Sequence, residues 1–242
     1  MRLGIMQPYF FPYLGHFALI AQVDKWLVFD ITQYTPKTWM NRNRILHPSG
    51  GAQYLTIALS NSSISIKTHE ARVLDMAASR QSVLGKLTHY KRFAPYYSKV
   101  KELVEEVFDR TESESLVDLN VNGLKVVTNY LGLNFDCQLC SRLNFEVPEK
   151  ISPGGWAPRI SRLMGAKDYI NPISGRHIFS PEDFKINNVN LCFLDFDVFE
   201  YKVGGVSFEP NLSIIDVLMW NTSDQVLEHL EKGTRLVTVD QG

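Results

Sequence analysis

The sequence predicts an α/β protein built on a parallel sheet, with a small helical lobe. Short apolar runs, such as residues 3–6 and 191–196, alternate with segments of helical periodicity, which is the rhythm of βαβ units. One stretch in the middle of the chain has helical periodicity alone. At 242 residues, with 45% apolar and 21% charged content, the chain can form one substantial core and an accessory lobe.

The N-terminal segment has the pattern strand, loop, helix, strand. The apolar run at 3–6 ends at Gln7 and Pro8, because a proline cannot donate to a central ladder. Residues 17–23 have the spacing of a helix face packed on a sheet, and 26–29 form the next strand. Ligands of βαβ units bind beyond the strands' carboxyl ends, at a helix N-terminus that attracts anions. We therefore expect a phosphate site at Gln7, Pro8, Gly15 and His16, with His16 facing the ligand rather than packing in the core.

The run Tyr13-Leu-Gly-His16 is similar to the His-x-Gly-His signature of nucleotidylyltransferases and class I aminoacyl-tRNA synthetases. Tyr13 stands where the first histidine of that signature would be. The resemblance implies a nucleotide-binding core of the nucleotidylyltransferase (HIGH-type) kind. The structural alternative is that His16 only caps the helix.

The segment after the second strand, residues 31–51, is rich in side chains that can bind a ligand. Arginine forks bind phosphate or carboxylate bidentately, and an indole can stack on a base or a sugar face. We expect this segment to overhang the same sheet edge as His16. The alternative is a solvated hairpin with its indole packed down. The candidate binding residues are Lys37, Trp39, Asn41, Arg42, Asn43 and Arg44.

The middle of the chain predicts a third strand at 53–59 and then mainly helices. A helix stripe runs from 97 to 108, and a second helix begins at a Ser113 or Ser115 cap and stops at Gly132. These helices define a predicted lobe. The predicted organisation is 1–69 for the first half of the α/β core, 70–133 for the inserted helical lobe, and 134–242 for the second half with C-terminal helices.

The second half returns to alternating strands and helices. It predicts strands at 135–139, 169–171 and 191–196, with a helix at about 157–164 that follows a loop containing Pro148 and Gly154. The loop after the strand at 169–171 offers small residues beside an arginine, a plausible anion or sugar contact. A later turn feeds a helix to Trp220, and a last edge strand or tail follows at 236–239. Candidate residues here are Ser174, Gly175, Arg176, His177, Asn211, Ser213 and Asp216, with capping as the structural alternative for the last three.

Composition narrows the class of partner. A net charge of −1 gives no general field for nucleic acid, so we expect none to bind. No apolar stretch approaches the ~20 residues of a membrane span, and no leader pattern is present, so we expect a cytoplasmic protein. Cys137 and Cys140 form one C-x-x-C without a second pair, and we predict no metal site. The chain lacks G-x-S-x-G, P-loop and G-x-G-x-x-G motifs, which argues against triad hydrolases, P-loop kinases and dehydrogenases.

Five separated stretches, in matching order, resemble the WbqC-like family: IMQPYFFPYLGHF (5–17), WMNRNRIL (39–46), YKRFAPYY (90–97), LMGAKDYINPISGRHIF (163–179) and PNLSIIDVL (210–218). The chain departs from the family at Asp30-Ile-Thr-Gln33, where a paired-acid Asp-Asp-x-Gln is more usual. The resemblance implies a bacterial protein of O-antigen (lipopolysaccharide) or other surface-polysaccharide pathways. It also implies a suggested role as a glycine or amino-acid transferase.

Two functions from different classes follow. The first is an enzyme that transfers an amino-acyl or related acyl group to an amino-sugar nucleotide, with ATP or another nucleotide as the activating cofactor, or that transfers a nucleotidyl group. Its partners are a nucleotide-linked amino sugar and an amino-acid or acyl donor. His16, His177 or Asp216 would be the catalytic base, and the sequence does not choose among them. The second is a non-catalytic protein that binds a nucleotide-sugar of a glycan pathway. The oligomeric state is left open.

Overall fold

The computed structural model describes residues 1–143 and 151–239 of the chain. The strands are β1 (Arg2–Met6), β2 (Lys25–Val28), β3 (Arg42–Leu46), β4 (Ala52–Thr56), β5 (Leu59–Asn61), β6 (Arg72–Val73), β7 (Cys137–Leu139), β8 (Asp168–Pro172), β9 (Asn190–Phe196) and β10 (Thr234–Thr238). The α-helices are α1 (Leu14–Ala21), α2 (Met76–Leu87), α3 (Tyr97–Asp109), α4 (Leu116–Leu131), α5 (Trp156–Leu163), α6 (Pro181–Ile186), α7 (Ile214–Trp220) and α8 (Ser223–Lys232).

Six of the strands form one mostly parallel sheet, in the order β10-β9-β8-β1-β2-β7. β1 lies in the middle and pairs in parallel with β2 on one side and β8 on the other. Among the described strands of this sheet, β10 alone, at one edge, runs antiparallel to its neighbour β9. The remaining strands form two small hairpins, β3-β4 and β5-β6. The prediction of an α/β protein with a parallel sheet is confirmed.

Helices cover both faces of the sheet, and successive side chains along a strand point to opposite faces. Along β9, Leu191 and Phe193 pack in a cluster with helices α5 and α6, whereas Cys192 and Leu194 pack in the larger cluster with α1, α4, α7 and α8. β1 repeats the pattern, because Leu3 and Ile5 join the smaller cluster. Strands buried on both faces read as continuous apolar runs, which is why the sequence identified them.

Both predicted ends of helix α4 are confirmed. Helix α4 begins at a Ser115 cap, whose side chain accepts from Asp118 N, and ends at Gly132 with φ of 69°. The strand predicted at 53–59 is confirmed as β4, which ends earlier, at Thr56, and pairs with β3 in a separate hairpin rather than in the main sheet. The C-terminal segment is a strand, β10, rather than a tail.

Helices α2 to α4 share the large buried cluster with α1, α7 and α8. The division of the chain at 69 and 133 stays a prediction. Pro148, expected in the loop before α5, lies outside the described residues. Within residues 1–143 and 151–239, no helix is long and apolar enough to cross a membrane.

Candidate functional site

In the part of the sheet that the structure describes, the topological switch point lies between β1 and β8. From β1 the chain passes through α1 to β2, on one side of β1, whereas β8 and β9 extend the sheet on the other side. The two connections leave in opposite directions, so a crevice opens beyond the carboxyl ends of β1 and β8. Ligands of open α/β sheets bind in this position.

Two adjoining cavities occupy the crevice. The first, which we call the Trp39 lobe, has a volume of about 390 Å³ and is lined by Trp39, Arg44, Tyr13 and Asn211 among others. The second, the Trp156 lobe, has a volume of about 610 Å³ and is lined by Gln7, Phe29, Trp156, Asn171, Gly175 and His177 among others. Both lobes share four lining residues, which are Met6, Tyr9, Pro172 and Ser174. Together they form one bipartite site, the switch-point site.

Arg44 is the one charged residue lining either lobe among the described residues. It forms no ion pair within that part of the chain, and its guanidinium carbon lies 5.8 Å from the centroid of the Trp39 ring. Trp39 itself is 41% exposed. A cation without a carboxylate partner, beside an accessible indole, is suited to an anionic ligand that carries a flat ring.

The neighbouring arginine has a different environment. Arg42 lies 4.5 Å from the Tyr54 ring on β4 and lines neither lobe. Asn41 donates to the carbonyl of Ile57, and Lys37 is exposed with φ of 58°. Of the six polar and aromatic candidates in this segment, Trp39, Asn43 and Arg44 are therefore brought to the crevice, and Lys37, Asn41 and Arg42 are not.

Buried polar side chains fix the loop that connects β1 to α1. Asn120 of α4, 1% exposed, donates through Nδ2 to the carbonyls of Pro8 at 2.7 Å and Met40 at 2.8 Å. Asn43 Nδ2 donates to the carbonyls of Phe10 at 3.0 Å and Phe11 at 2.8 Å. Each amide thus satisfies two backbone acceptors that the loop would otherwise bury unpaired.

The carbonyl of Phe11 accepts a second hydrogen bond, which Ser213 Oγ donates at 2.7 Å. Ser213 caps α7 as well, accepting from Ile215 N. Phe11 is buried and has φ of 39°, in the left-handed region that a bulky residue rarely adopts. Such strain persists only where the surroundings hold it, and it is common at binding sites. Asn43 and Ser213 therefore position the loop backbone.

His16 packs in the core. It is 1% exposed, and its ring lies 4.9 Å from Trp26 and 5.5 Å from Tyr9, centroid to centroid. Burial lowers the pKa of His16 to about 3, and Nε2 has no partner among the described residues. The expectation that His16 lies outside the core is wrong, because α1 packs this residue against Trp26 of β2. It contacts the site through Tyr9, which lines both lobes.

Gly15 does not leave room for a ligand. A Cβ at this position would come within 2.4 Å of the Tyr13 ring, so the glycine allows Tyr13 to fold back over the start of α1. Tyr13 then lines the Trp39 lobe together with Tyr9. Burial raises the pKa of both phenols, which keeps them protonated and able to donate. Pro8 is buried, and its carbonyl is the acceptor described above.

The loop after β8 forms the other wall. Ser174, Gly175 and His177 line the Trp156 lobe, whereas Arg176 turns away, 5.9 Å from the Phe193 ring. Gly175 is required by packing, because a Cβ there would lie 2.3 Å from Asn171 Nδ2. His177 is exposed. It is the one histidine that lines either lobe among the described residues.

Asp216 lies apart from the switch-point site. It is buried, lines neither lobe, and accepts from Tyr201 at 2.6 Å, from Leu46 N at 3.2 Å and from Tyr90. Burial raises its pKa, and the two tyrosine hydrogen bonds oppose that shift. Asn211, with φ of 55°, does line the Trp39 lobe.

Sequence reasoning missed the aromatic part of the site. Tyr9, Phe29 and Trp156 line the crevice, and none was predicted to bind ligand. Phe29 directly follows β2 and Tyr9 lies three residues after the end of β1, so their position after a strand end was an available signal. Trp156 opens α5 after the turn Pro153–Gly155, so it does not follow a strand end and gave no such signal.

These features define an α/β protein with a bipartite crevice, the candidate site, at the switch point of a mostly parallel sheet. The model of the WbqC-like protein family matches residues 7–228, and the chain belongs to this family. It is also similar to a curated protein of Mycobacterium tuberculosis (strain ATCC 25618 / H37Rv), "Uncharacterized protein Rv1507c". The two are 24% identical over 233 residues, which is 95% of this chain and 97% of the relative. No solved structure matches the chain.

Proposed function

We propose that this protein is a transferase of surface-polysaccharide biosynthesis that moves an amino-acyl or related acyl group onto a nucleotide-linked amino sugar. Membership of the WbqC-like family is consistent with a polysaccharide-associated protein. The observation that carries the proposal is Arg44 beside Trp39 in a cavity at the sheet's switch point. Nucleotide phosphates are the ligands that such an arrangement suits.

The Trp39 lobe would take the nucleotide. Arg44 would pair with a phosphate, Tyr9 and Tyr13 would donate to its oxygens, and Trp39 would stack on the base or a sugar face. No carboxylate lines this lobe among the described residues, so nothing there opposes the anion. The strand order around β1 supports a core of the nucleotidylyltransferase kind, with ATP or a sugar nucleotide as its ligand.

The Trp156 lobe would hold the reacting groups. In the transfer, the amine nitrogen of the sugar attacks the acyl carbonyl carbon, a C–N bond forms, and the bond from that carbon to the donor's leaving group breaks. The nitrogen loses one proton, which His177 would accept as general base. Asp216 and His16 are buried and line neither lobe, so their roles would be structural rather than chemical. His16 would hold the ring of Tyr9 in place by packing against it.

A second candidate is a protein that binds a nucleotide-sugar without transferring anything. The exposure of His177 favours this alternative, because an exposed imidazole is not oriented by neighbouring groups. The two candidates share the Trp39 lobe and differ in the need for His177.

Incubation with a labelled amino acid, ATP and an amino-sugar nucleotide separates them. Mass spectrometry of the sugar nucleotide should show the added acyl group with wild type, and His177→Asn should slow its formation by about 10²-fold or more while nucleotide affinity is retained. Equal rates in both proteins would remove His177 from the mechanism. If the protein binds the nucleotide-sugar but transfers no acyl group from any donor of a panel, the second candidate, a binding protein, is the one that remains.

A further inference from the structure

The strand β10 forms an edge of the main sheet that its own side chains do not protect. Among the described residues it pairs with β9 alone, over five consecutive residues without a bulge. Leu236 and Val237 are 40% and 42% exposed, and they point to opposite faces of the strand. Exposed edges are usually blunted by lysine, proline or a bulge, because they otherwise pair with another chain. β10 has the sequence TRLVT, and its one charge, on Arg235, is already paired with carboxylates of its own chain.

Every second residue of β10 offers its main-chain groups to a partner. Asp197 N donates to Gly233 O at 2.9 Å, and Val239 N donates to Leu191 O at 3.1 Å, so positions 233 and 239 form hydrogen-bonded pairs with β9 and its extension. Such pairs alternate with non-hydrogen-bonded pairs along an antiparallel ladder. The N–H and C=O groups that point away from β9 therefore belong to three residues, which are Thr234, Leu236 and Thr238.

These three residues are spaced symmetrically about Leu236, so their main-chain groups are complementary to those of a second copy. In an antiparallel pair of β10 strands with a two-fold axis at Leu236, this residue pairs with its own copy, and Thr234 pairs with Thr238 of the other chain. All three then form hydrogen-bonded pairs with two bonds each. The resulting six bonds lie within the range of about 10 ± 5 for a typical interface.

The side chains fit the same two-fold arrangement. On one face, the two Leu236 side chains would meet at the axis, flanked by pairs of threonines, and cross-strand pairs of both kinds stabilise a sheet. On the other face, Arg235 of each copy would lie opposite Val237 of the other. Asp197 accepts from the Arg235 guanidinium at 2.7 and 2.8 Å, so no unpaired charge is brought to the axis. An edge that matches itself in hydrogen bonds, apolar contacts and charge is suited to a second copy of this chain.

We infer that the protein forms a homodimer in which the β10 strands of two copies pair antiparallel, which joins two six-stranded sheets into one continuous sheet. The two-fold axis reverses the strand direction from one copy to the other. The two switch-point sites therefore lie at opposite ends of the joined sheet, and each is formed by one chain. This inference does not depend on a nucleotide binding at the switch-point site.

Amide hydrogen exchange of the wild-type protein tests the pairing itself. In a monomer, the amides of Thr234, Leu236 and Thr238 face water and exchange fast, whereas those of Arg235 and Val237 are bonded to β9 and exchange slowly. Dimerisation should slow the first three amides by about tenfold once roughly nine-tenths of the protein is dimeric. Sedimentation velocity over the same concentrations should show the monomer converting to a dimer. A monomer at every concentration up to millimolar, or a dimer in which the Leu236 amide still exchanges fast, would overturn the inference.

Substitutions at Leu236 locate the interface. Leu236→Lys places two like charges opposite each other at the axis, and Leu236→Pro removes an N–H that β9 does not use. Each should raise the dissociation constant of the dimer by about tenfold or more. Leu163→Lys is the matched control, because it changes a leucine of α5 that is 56% exposed, and it should leave the dimer unchanged. Folded Leu236 variants that dimerise like wild type, or an equal loss in Leu163→Lys, would contradict pairing through β10.

Discussion

Replacing Asn120 with alanine should destabilise the protein strongly and weaken ligand binding at the switch-point site. The side chain is 1% exposed and donates to two carbonyls, those of Pro8 and Met40. Alanine would leave both oxygens buried without a donor, and each such loss costs ~1–3 kcal/mol. We expect the free energy of unfolding to fall by roughly 2–6 kcal/mol in total, or ~4–24 °C in Tm for a chain of this length.

Asn122→Ala is the matched control, since it makes the same change two residues further along α4. Asn122 Nδ2 also donates twice, to Arg110 O and Thr111 Oγ1 at 3.0 Å each, but in a place that water reaches. Its loss should cost less than ~1 kcal/mol. Urea unfolding of both variants gives the two energies, and nucleotide titration gives the affinities. Equal destabilisation, or a loop that binds ligand normally without Asn120, would refute the role of this amide in holding the β1–α1 loop.

Two further predictions concern pH. His16 has its folded pKa lowered to about 3 by burial, so its contribution is intact above its unfolded pKa of about 6.5 and is lost as pH falls below that value; at pH 5 the loss is ~2 kcal/mol. In His16→Phe this loss of unfolding free energy between pH 7.5 and pH 5, measured by urea unfolding, should be absent. If the variant loses as much stability between the two pH values as wild type does, the burial of His16 is contradicted. For Asp216 the sign reverses, because burial raises its folded pKa, and stability should fall as pH rises from about 4 to that raised value. Asp216→Asn should flatten this part of the profile, whereas profiles that stay parallel would show that the carboxyl does not titrate with a raised pKa.

The sequence predicted the parts of the fold that depend on local chemistry. Ser115 and Gly132 bound α4 as expected, since a capping hydroxyl and a left-handed glycine act on the backbone beside them. The apolar runs predicted the strands of the main sheet because both faces are buried. The hairpin β3-β4 was less predictable, since its pairing depends on contacts with α7 and the β1–α1 loop, such as the bond from Ser213 N to Arg44 O.

The candidate site was predictable to the level of segments, and less so for individual side chains. The loops after β1 and β8 were expected at the sheet edge. They do meet there, because β1 and β8 are adjacent strands. Within them, the direction of each side chain depends on tertiary contacts. Arg42 is drawn onto Tyr54, while Arg44, two residues away, faces the crevice. His16 illustrates the same limit, since a motif places the residue on α1 but the packing of Tyr9 and Trp26 decides that it is buried.

The most direct test of the central claim is calorimetric titration of uridine and thymidine diphosphate sugars, ATP and ADP into wild type, Arg44→Ala and Arg42→Ala. If the switch-point site binds nucleotide phosphate, at least one of these ligands should bind wild type. Arg44→Ala should weaken its binding by ~1.5–3 kcal/mol, about one to two decades in affinity. Arg42→Ala, on the same strand but outside both lobes, should bind like wild type. Equal losses in both variants, or no binding of any nucleotide to the folded protein at millimolar concentration, would contradict the claim.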